Sequence, residues 1–101
     1  MTIQSIKRQI IPILKLEGVT KASIFGSFAT GDETERSDVD LLVRFQGGAS
    51  LLDLSRLKLK LEEKTGRKVD VLTYNSVHPY LKKIILEEQK LIYEKTNRRI
   101  A

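Results

Sequence analysis

Ser23-Ile24-Phe25-Gly26-Ser27, then ten residues, then Asp38-Val39-Asp40-Leu41-Leu42-Val43, is the stretch on which the fold turns. Ile24 and Phe25 end a short apolar run, and Gly26 lets the backbone turn sharply and a ligand come close. Ser27 has the chemistry of an N-cap for a following helical turn, whose free N–H groups attract anionic oxygens. Asp38 and Asp40 share one face of the next strand, because side chains alternate with period two. Carboxylates roughly 7 Å apart along a strand suit a pair of Mg²⁺ ions about 3.5–4 Å apart. On spacing alone, an Asp-x-Asp is more often a solvated strand edge. Asp70 shifts the weight towards a metal and phosphate site, because it lies inside the apolar run Val69-Asp70-Val71-Leu72. A carboxylate there is costly without a compensating charge.

The chain has 101 residues, which points to one small domain over 1–101 with a modest core. It has no cysteine, so neither a disulfide framework nor a thiolate metal site is available. A lone His78 does not make a zinc site. No apolar run approaches a membrane span and the first thirty residues lack a signal-peptide pattern, so the chain reads as cytoplasmic. The net charge is +5, with a basic end at Lys95, Arg98 and Arg99. That charge suits nucleotides, RNA or an acidic partner as well as plain solubility. The aromatic residues are few and not interleaved with the charges, so direct nucleic-acid binding on a stacking platform is not expected.

Ile3, Ile6, Ile10, Ile13 and Leu14 recur at helical spacing, predicting a helix over residues 3–17 that Pro12 kinks or divides. Residues 21–25 read as a strand, 27–31 as a short helical turn closed by Gly31, and 38–45 as a second strand. Val39, Leu41 and Val43 face one layer of it. Ser50 and Asp53 form a capping box for a helix through Lys64, with Leu51, Leu54, Leu57, Leu59 and Leu61 as its core positions and Gly66 as its C-terminal cap. Residues 68–73 read as a third strand. His78 to Glu88 reads as a last helix with Pro79 near its start, and Leu91 to Tyr93 as an edge strand or an extension of that helix.

The Gly26-Ser27…Asp38-Val39-Asp40 pattern resembles the signature of the DNA polymerase beta nucleotidyltransferase superfamily. The chain looks most like its smallest members, the minimal nucleotidyltransferases (MNT) that pair with HEPN proteins. The resemblance covers nearly the whole chain, and Asp70 supplies the third carboxylate that makes the pattern specific. It implies an α+β fold, a small mixed β-sheet with helices packed on it. It implies Asp38, Asp40 and Asp70 as catalytic residues and as ligands of two Mg²⁺ ions. It implies Gly26 and Ser27 as the cradle for the β- and γ-phosphates of ATP, the nucleotide donor. Arg36 and Ser37 complete the nucleotide-binding set, although Ser37 also suits a simple turn cap. Many relatives carry Arg after the Gly-Ser pair or at the end of the short turn; here Gly26 to Gly31 holds no cation, and Arg36 is the candidate substitute.

The activity so implied is transfer of AMP from ATP to a Tyr hydroxyl of a cognate HEPN ribonuclease toxin. The chain would be the antitoxin of a hetero-oligomeric pair. Two other readings stay open on the residues alone. One is a non-catalytic antitoxin that covers its toxin sterically; the other is a small-molecule nucleotidyltransferase acting on an alcohol such as an aminoglycoside.

Overall fold

The structure is a computed structural model and describes residues 3–31, 34 and 37–95. The first helix, α1 (Ile3–Leu16), buries Ile6, Ile10 and Leu14 in one stripe. It passes through Pro12 as a single helix, so the division expected there does not occur. Energetics explain this: three buried aliphatic side chains contribute roughly 1.5–3 kcal/mol each, against about 3 kcal/mol for one interior proline.

Four strands follow in a mixed sheet: β1 (Val19–Phe25), β2 (Val39–Phe45), β3 (Val69–Thr73) and β4 (Lys90–Glu94). Their spatial order is β3-β2-β1-β4. β1 is antiparallel to β2 and to β4, while β2 and β3 are parallel. A parallel pair needs a crossover, and α3 (Leu51–Thr65) supplies it. The segment around Leu91 to Tyr93 is thus an edge strand rather than a continuation of the last helix.

Alternation along the strands sorts the residues into two faces. Ala22, Ile24, Val39, Leu41, Val43 and Val69 are buried against Ile6, Ile10 and Leu14 of α1 and Leu57 and Leu61 of α3. Asp40 and Asp70 project from the opposite face.

The capping box at the start of α3 forms as the sequence predicts. Ser50 Oγ accepts from the Asp53 amide at 3.2 Å, and Asp53 Oδ2 accepts from the Ser50 amide at 3.0 Å. Gly66, at φ 68°, closes the helix in the left-handed region. Two of its expected core leucines are corrected: Leu51 and Leu59 are 84% and 64% exposed. A helix turns 100° per residue, so the face that buries Leu57 and Leu61 carries Leu59 outward.

The last helix, α4 (Pro79–Glu88), starts at His78, whose Nδ1 accepts from the Tyr80 amide at 3.2 Å. Among the described residues, no helix is long and apolar enough to cross a membrane.

Candidate active site

Three chain segments converge on one point. In the parallel ladder between β2 and β3, Asp40 pairs with Asp70. In the antiparallel ladder between β1 and β2, Phe25 pairs with Asp40, which sets Gly26 beside the same carboxylate. Asp38 lies just before β2, two residues from Asp40. The Val39 amide donates to the Lys68 carbonyl at 2.9 Å and ties the starts of the two strands together. Strand register, not one local turn, therefore brings Asp40 and Asp70 side by side.

Gly26 has φ 71° and ψ −150°, a conformation close to glycine-only. A Cβ placed on it would overlap Asp40 Oδ2. Both observations explain why glycine stands there: the backbone conformation requires it, and the carboxylate occupies the space a side chain would take.

Gly26, not Ser27, is the N-cap of the short helix α2 (Ser27–Thr30), and no side chain caps it. The expected capping role of Ser27 is corrected accordingly; Ser27 is the first helical residue. The Ala29 and Thr30 amides both bond to the Gly26 carbonyl, at 3.0 and 3.1 Å. The amides of Ser27 and Phe28 precede the first bond of the turn, in the position where helix starts leave donors available.

The electrostatics of Asp40 follow from this crowding. Its carboxyl is raised to about 6, first by burial, then by the charge of Asp70, a side-chain hydrogen bond to Asp70 and the charge of Asp38. Lys68 acts in the opposite direction. Like charges held together favour a shared proton or a bound cation.

Ser37 holds the turn before Asp38. Its Oγ accepts from the Thr34 amide at 2.7 Å. Its carbonyl accepts from Arg67 Nη1 at 3.0 Å, and the same nitrogen donates to the Thr34 carbonyl at 3.1 Å. The Arg67 guanidinium also lies 5.3 Å from the centre of the Phe28 ring, joining this turn to α2. Arg36 lies outside the described residues, as do Arg98 and Arg99.

Sequence reasoning missed three side chains around the site. Arg67 is one. The others are Lys58 and Glu62, one turn apart on α3. Glu62 Oε2 accepts from the Val69 amide at 3.0 Å, and Lys58 Nζ donates to the Val69 carbonyl at 2.9 Å. Lys58 Nζ also stands 3.8 Å from Asp70 Oδ1. Their i, i+4 spacing on a helix leading into the Asp70 strand is the one signal the sequence offered.

Among the described residues, no three His, Cys, Asp or Glu side chains form a ready-made metal cage. The donor chemistry nonetheless fits a hard divalent cation: the donors are all carboxylate oxygens, mutually repelling and crowded enough to raise Asp40. A small dication of this kind is usually held by one or two carboxylates together with substrate phosphates and water, not by a closed protein cage.

Comparison with known proteins places the sequence and the fold. The family profile described as "Polymerase beta, Nucleotidyltransferase" matches residues 8–98. A Methanocaldococcus jannaschii protein provisionally named a protein adenylyltransferase is 61% identical over 88 residues, covering 87% of this chain and 95% of its own. Two solved structures share the fold. One is a toxin–antitoxin complex with AMP-PNP (TM-score 0.78, 21% identity, covering 89% of this chain and 74% of that one). The other is a tri-AMPylated Shewanella oneidensis HEPN toxin in complex with an MNT antitoxin (TM-score 0.72, 19% identity, covering 91% and 72%). The chain belongs to the polymerase beta nucleotidyltransferase family, among its minimal members, and is a nucleotidyltransferase.

Proposed function

We propose that this chain is the antitoxin of a toxin–antitoxin pair and moves AMP from ATP to a Tyr hydroxyl of a HEPN ribonuclease toxin, with Mg²⁺ as cofactor, in the cytoplasm. The observation that carries the chemistry is the meeting of Asp40, Asp70 and Gly26 through two strand registers, with Asp38 two residues away. AMP as the transferred group is supported by the 61%-identical relative. The toxin partner is supported by the sequence resemblance and by the complexes that share the fold.

In this reading Asp38, Asp40 and Asp70 would hold two Mg²⁺ ions. Bound there, the ions would neutralise the triphosphate and polarise the α-phosphorus. The chain's own residues do the rest. Gly26 makes room for the Asp40 carboxylate beside the turn, and the Ser27 and Phe28 amides at the start of α2 donate to the phosphate oxygens. Arg67 and Ser37 hold the turn that presents Asp38. Asp70 accepts the proton of the attacking hydroxyl. The phenolic oxygen forms its bond to the α-phosphorus, the bond to the β-bridging oxygen breaks, and pyrophosphate leaves. Positioning and charge compensation carry such a transfer, with little covalent work for the protein.

Intact-mass spectrometry of the toxin tests the reading. After incubation with this chain, ATP and Mg²⁺, the toxin gains one or more AMP groups, and its ribonuclease activity stays suppressed after the antitoxin is removed. An unmodified toxin that regains activity on removal overturns it.

A further inference from the structure

β3 is an edge strand, so the backbone groups on its outer side have no strand partner. In a strand, the N–H and C=O of one residue point to the same side, and the next residue's point to the other. The Lys68 carbonyl faces β2, accepting from the Val39 amide at 2.9 Å, which turns the Val69 groups outward. Helix α3 takes both of them: Glu62 Oε2 accepts the N–H at 3.0 Å, and Lys58 Nζ donates to the C=O at 2.9 Å. The two side chains also face each other, with Nζ 3.5 Å from Glu62 Oε2. Together they act as a substitute strand, gripping the residue immediately before Asp70.

A grip alone needs no charge beside the carboxylate cluster, yet Lys58 Nζ stands 3.8 Å from Asp70 Oδ1. Both side chains are partly exposed, at 38% and 46%, so as an ion pair they contribute little to folding. The placement bears on the site instead. A fixed unit charge next to one of three crowded carboxylates lowers their repulsion before a cation arrives, and it opposes the cation that arrives.

We propose that Lys58 is the positioning residue of Asp70: it fixes the carboxylate's place through the Val69 carbonyl and, by its charge, limits how tightly the cluster holds a divalent cation. The inference rests on the nucleotidyl-transfer reading of the site. Its consequence is a split effect that a purely structural lysine would not produce. Removing the charge tightens cation binding, while removing the grip slows transfer.

The test uses Lys58→Met, which keeps the aliphatic stem, with Lys58→Arg as the conservative variant and Glu62→Ala as the control that loosens the grip away from Asp70. Mn²⁺ binding is followed by the electron paramagnetic resonance of the free ion, and ATP kinetics with the toxin are measured in parallel. In Lys58→Met, Mn²⁺ binds tighter by roughly five- to tenfold, the effect of one partly screened charge a few ångströms away. Its kcat falls while its KM for ATP holds, and Lys58→Arg restores both properties. Glu62→Ala melts earlier without tightening Mn²⁺. Unchanged or weaker Mn²⁺ binding in folded Lys58→Met overturns the inference, as does tightening of equal size in Glu62→Ala. A wild-type chain that binds no Mn²⁺ overturns the nucleotidyl-transfer reading and this inference with it, whereas normal wild-type binding and transfer confine any failure to Lys58.

Discussion

Asp40 and Asp70 stand side by side across the parallel strands β2 and β3, close enough for a side-chain hydrogen bond between two carboxyl groups. Such a contact requires a proton or a cation between them. In the metal-free protein at neutral pH, the pair is therefore a source of strain. Asp40→Asn removes one charge and keeps a hydrogen-bonding side chain of the same size. The rise of the Asp40 carboxyl from 3.8 to about 6 nominally corresponds to about 3 kcal/mol. Asp40 is half-exposed, so solvent screening reduces this to on the order of 1 kcal/mol. The metal-free variant should melt a few degrees higher at pH 7.5, and its transfer of label from α-labelled ATP should fall to background. A lower melting temperature with near-normal transfer would remove Asp40 from the site.

The same carboxyl makes stability depend on pH in a direction opposite to most acidic groups. Its folded value lies above its unfolded value of 3.8, so folding favours the protonated form. That contribution is fully present below about 4 and is lost as pH rises through about 6. Asp53 and Glu62, lowered chiefly by backbone hydrogen bonds from Ser50 and Val69, behave in the usual way and lose their contribution only as pH falls below their unfolded values, 3.8 and 4.5. Between pH 5 and 7.5 the Asp40 effect thus stands apart. Without divalent ions, the melting temperature should fall across that interval. Mg²⁺ should restore it at pH 7.5 and do little at pH 5, where protons compete for the same oxygens. Thermal melts at the two pH values, with Mg²⁺ and with EDTA, measure both effects.

Gly26 and Gly31 flank α2 at positive φ but differ in what surrounds them. A Cβ at Gly31 meets nothing within 4 Å, while one at Gly26 runs into Asp40 Oδ2. Gly31→Ala should therefore cost only backbone strain, about 1–2 kcal/mol, and leave nucleotide binding intact. Gly26→Ala should cost about 1–3 kcal/mol for its backbone and also push Asp40 aside. Calorimetric titration with a non-hydrolysable ATP analogue and Mg²⁺ should find binding lost in Gly26→Ala and kept in Gly31→Ala. Equal affinity in the two variants would detach the turn from the phosphates.

These contrasts mark what the sequence made legible. The apolar alternation of Val39, Leu41 and Val43 fixes which face of β2 is buried, so it also fixes which face carries Asp40. Ser50, Asp53 and Gly66 mark α3 by local hydrogen-bonding chemistry that acts within four residues. The pairing of Asp40 with Asp70 depends on strand register across thirty positions, which no local pattern encodes; the apolar run around Asp70 and the resemblance to a family put both in one site without giving the register. Lys58 and Glu62 were illegible for a related reason. On a helix, a Lys and a Glu four apart read as a solvated pair, and nothing in the local sequence says that the edge of β3 lies against them. The division that Pro12 suggested does not occur, because that local preference is outweighed by the buried stripe of α1.

Asp70 separates catalysis from steric cover. It is 46% exposed, beside Asp40, and carries no part of the buried core. Asp70→Asn should therefore fold and still bind the toxin, but it lacks the carboxylate proposed to take the proton of the attacking hydroxyl. If the chain is an enzyme, a substoichiometric amount with ATP and Mg²⁺ should silence an excess of toxin, because each molecule turns over. Asp70→Asn should silence no more toxin than it binds, with or without ATP, and should leave the toxin's mass unchanged. The expected loss in transfer is at least a hundredfold, the lower end of what a positioned acid–base group contributes, about 10²–10⁴. Residual ribonuclease activity measured against the molar ratio of antitoxin gives the answer: a wild-type curve that breaks at one-to-one and ignores ATP would leave steric cover as the mechanism, whatever the carboxylates are arranged to do.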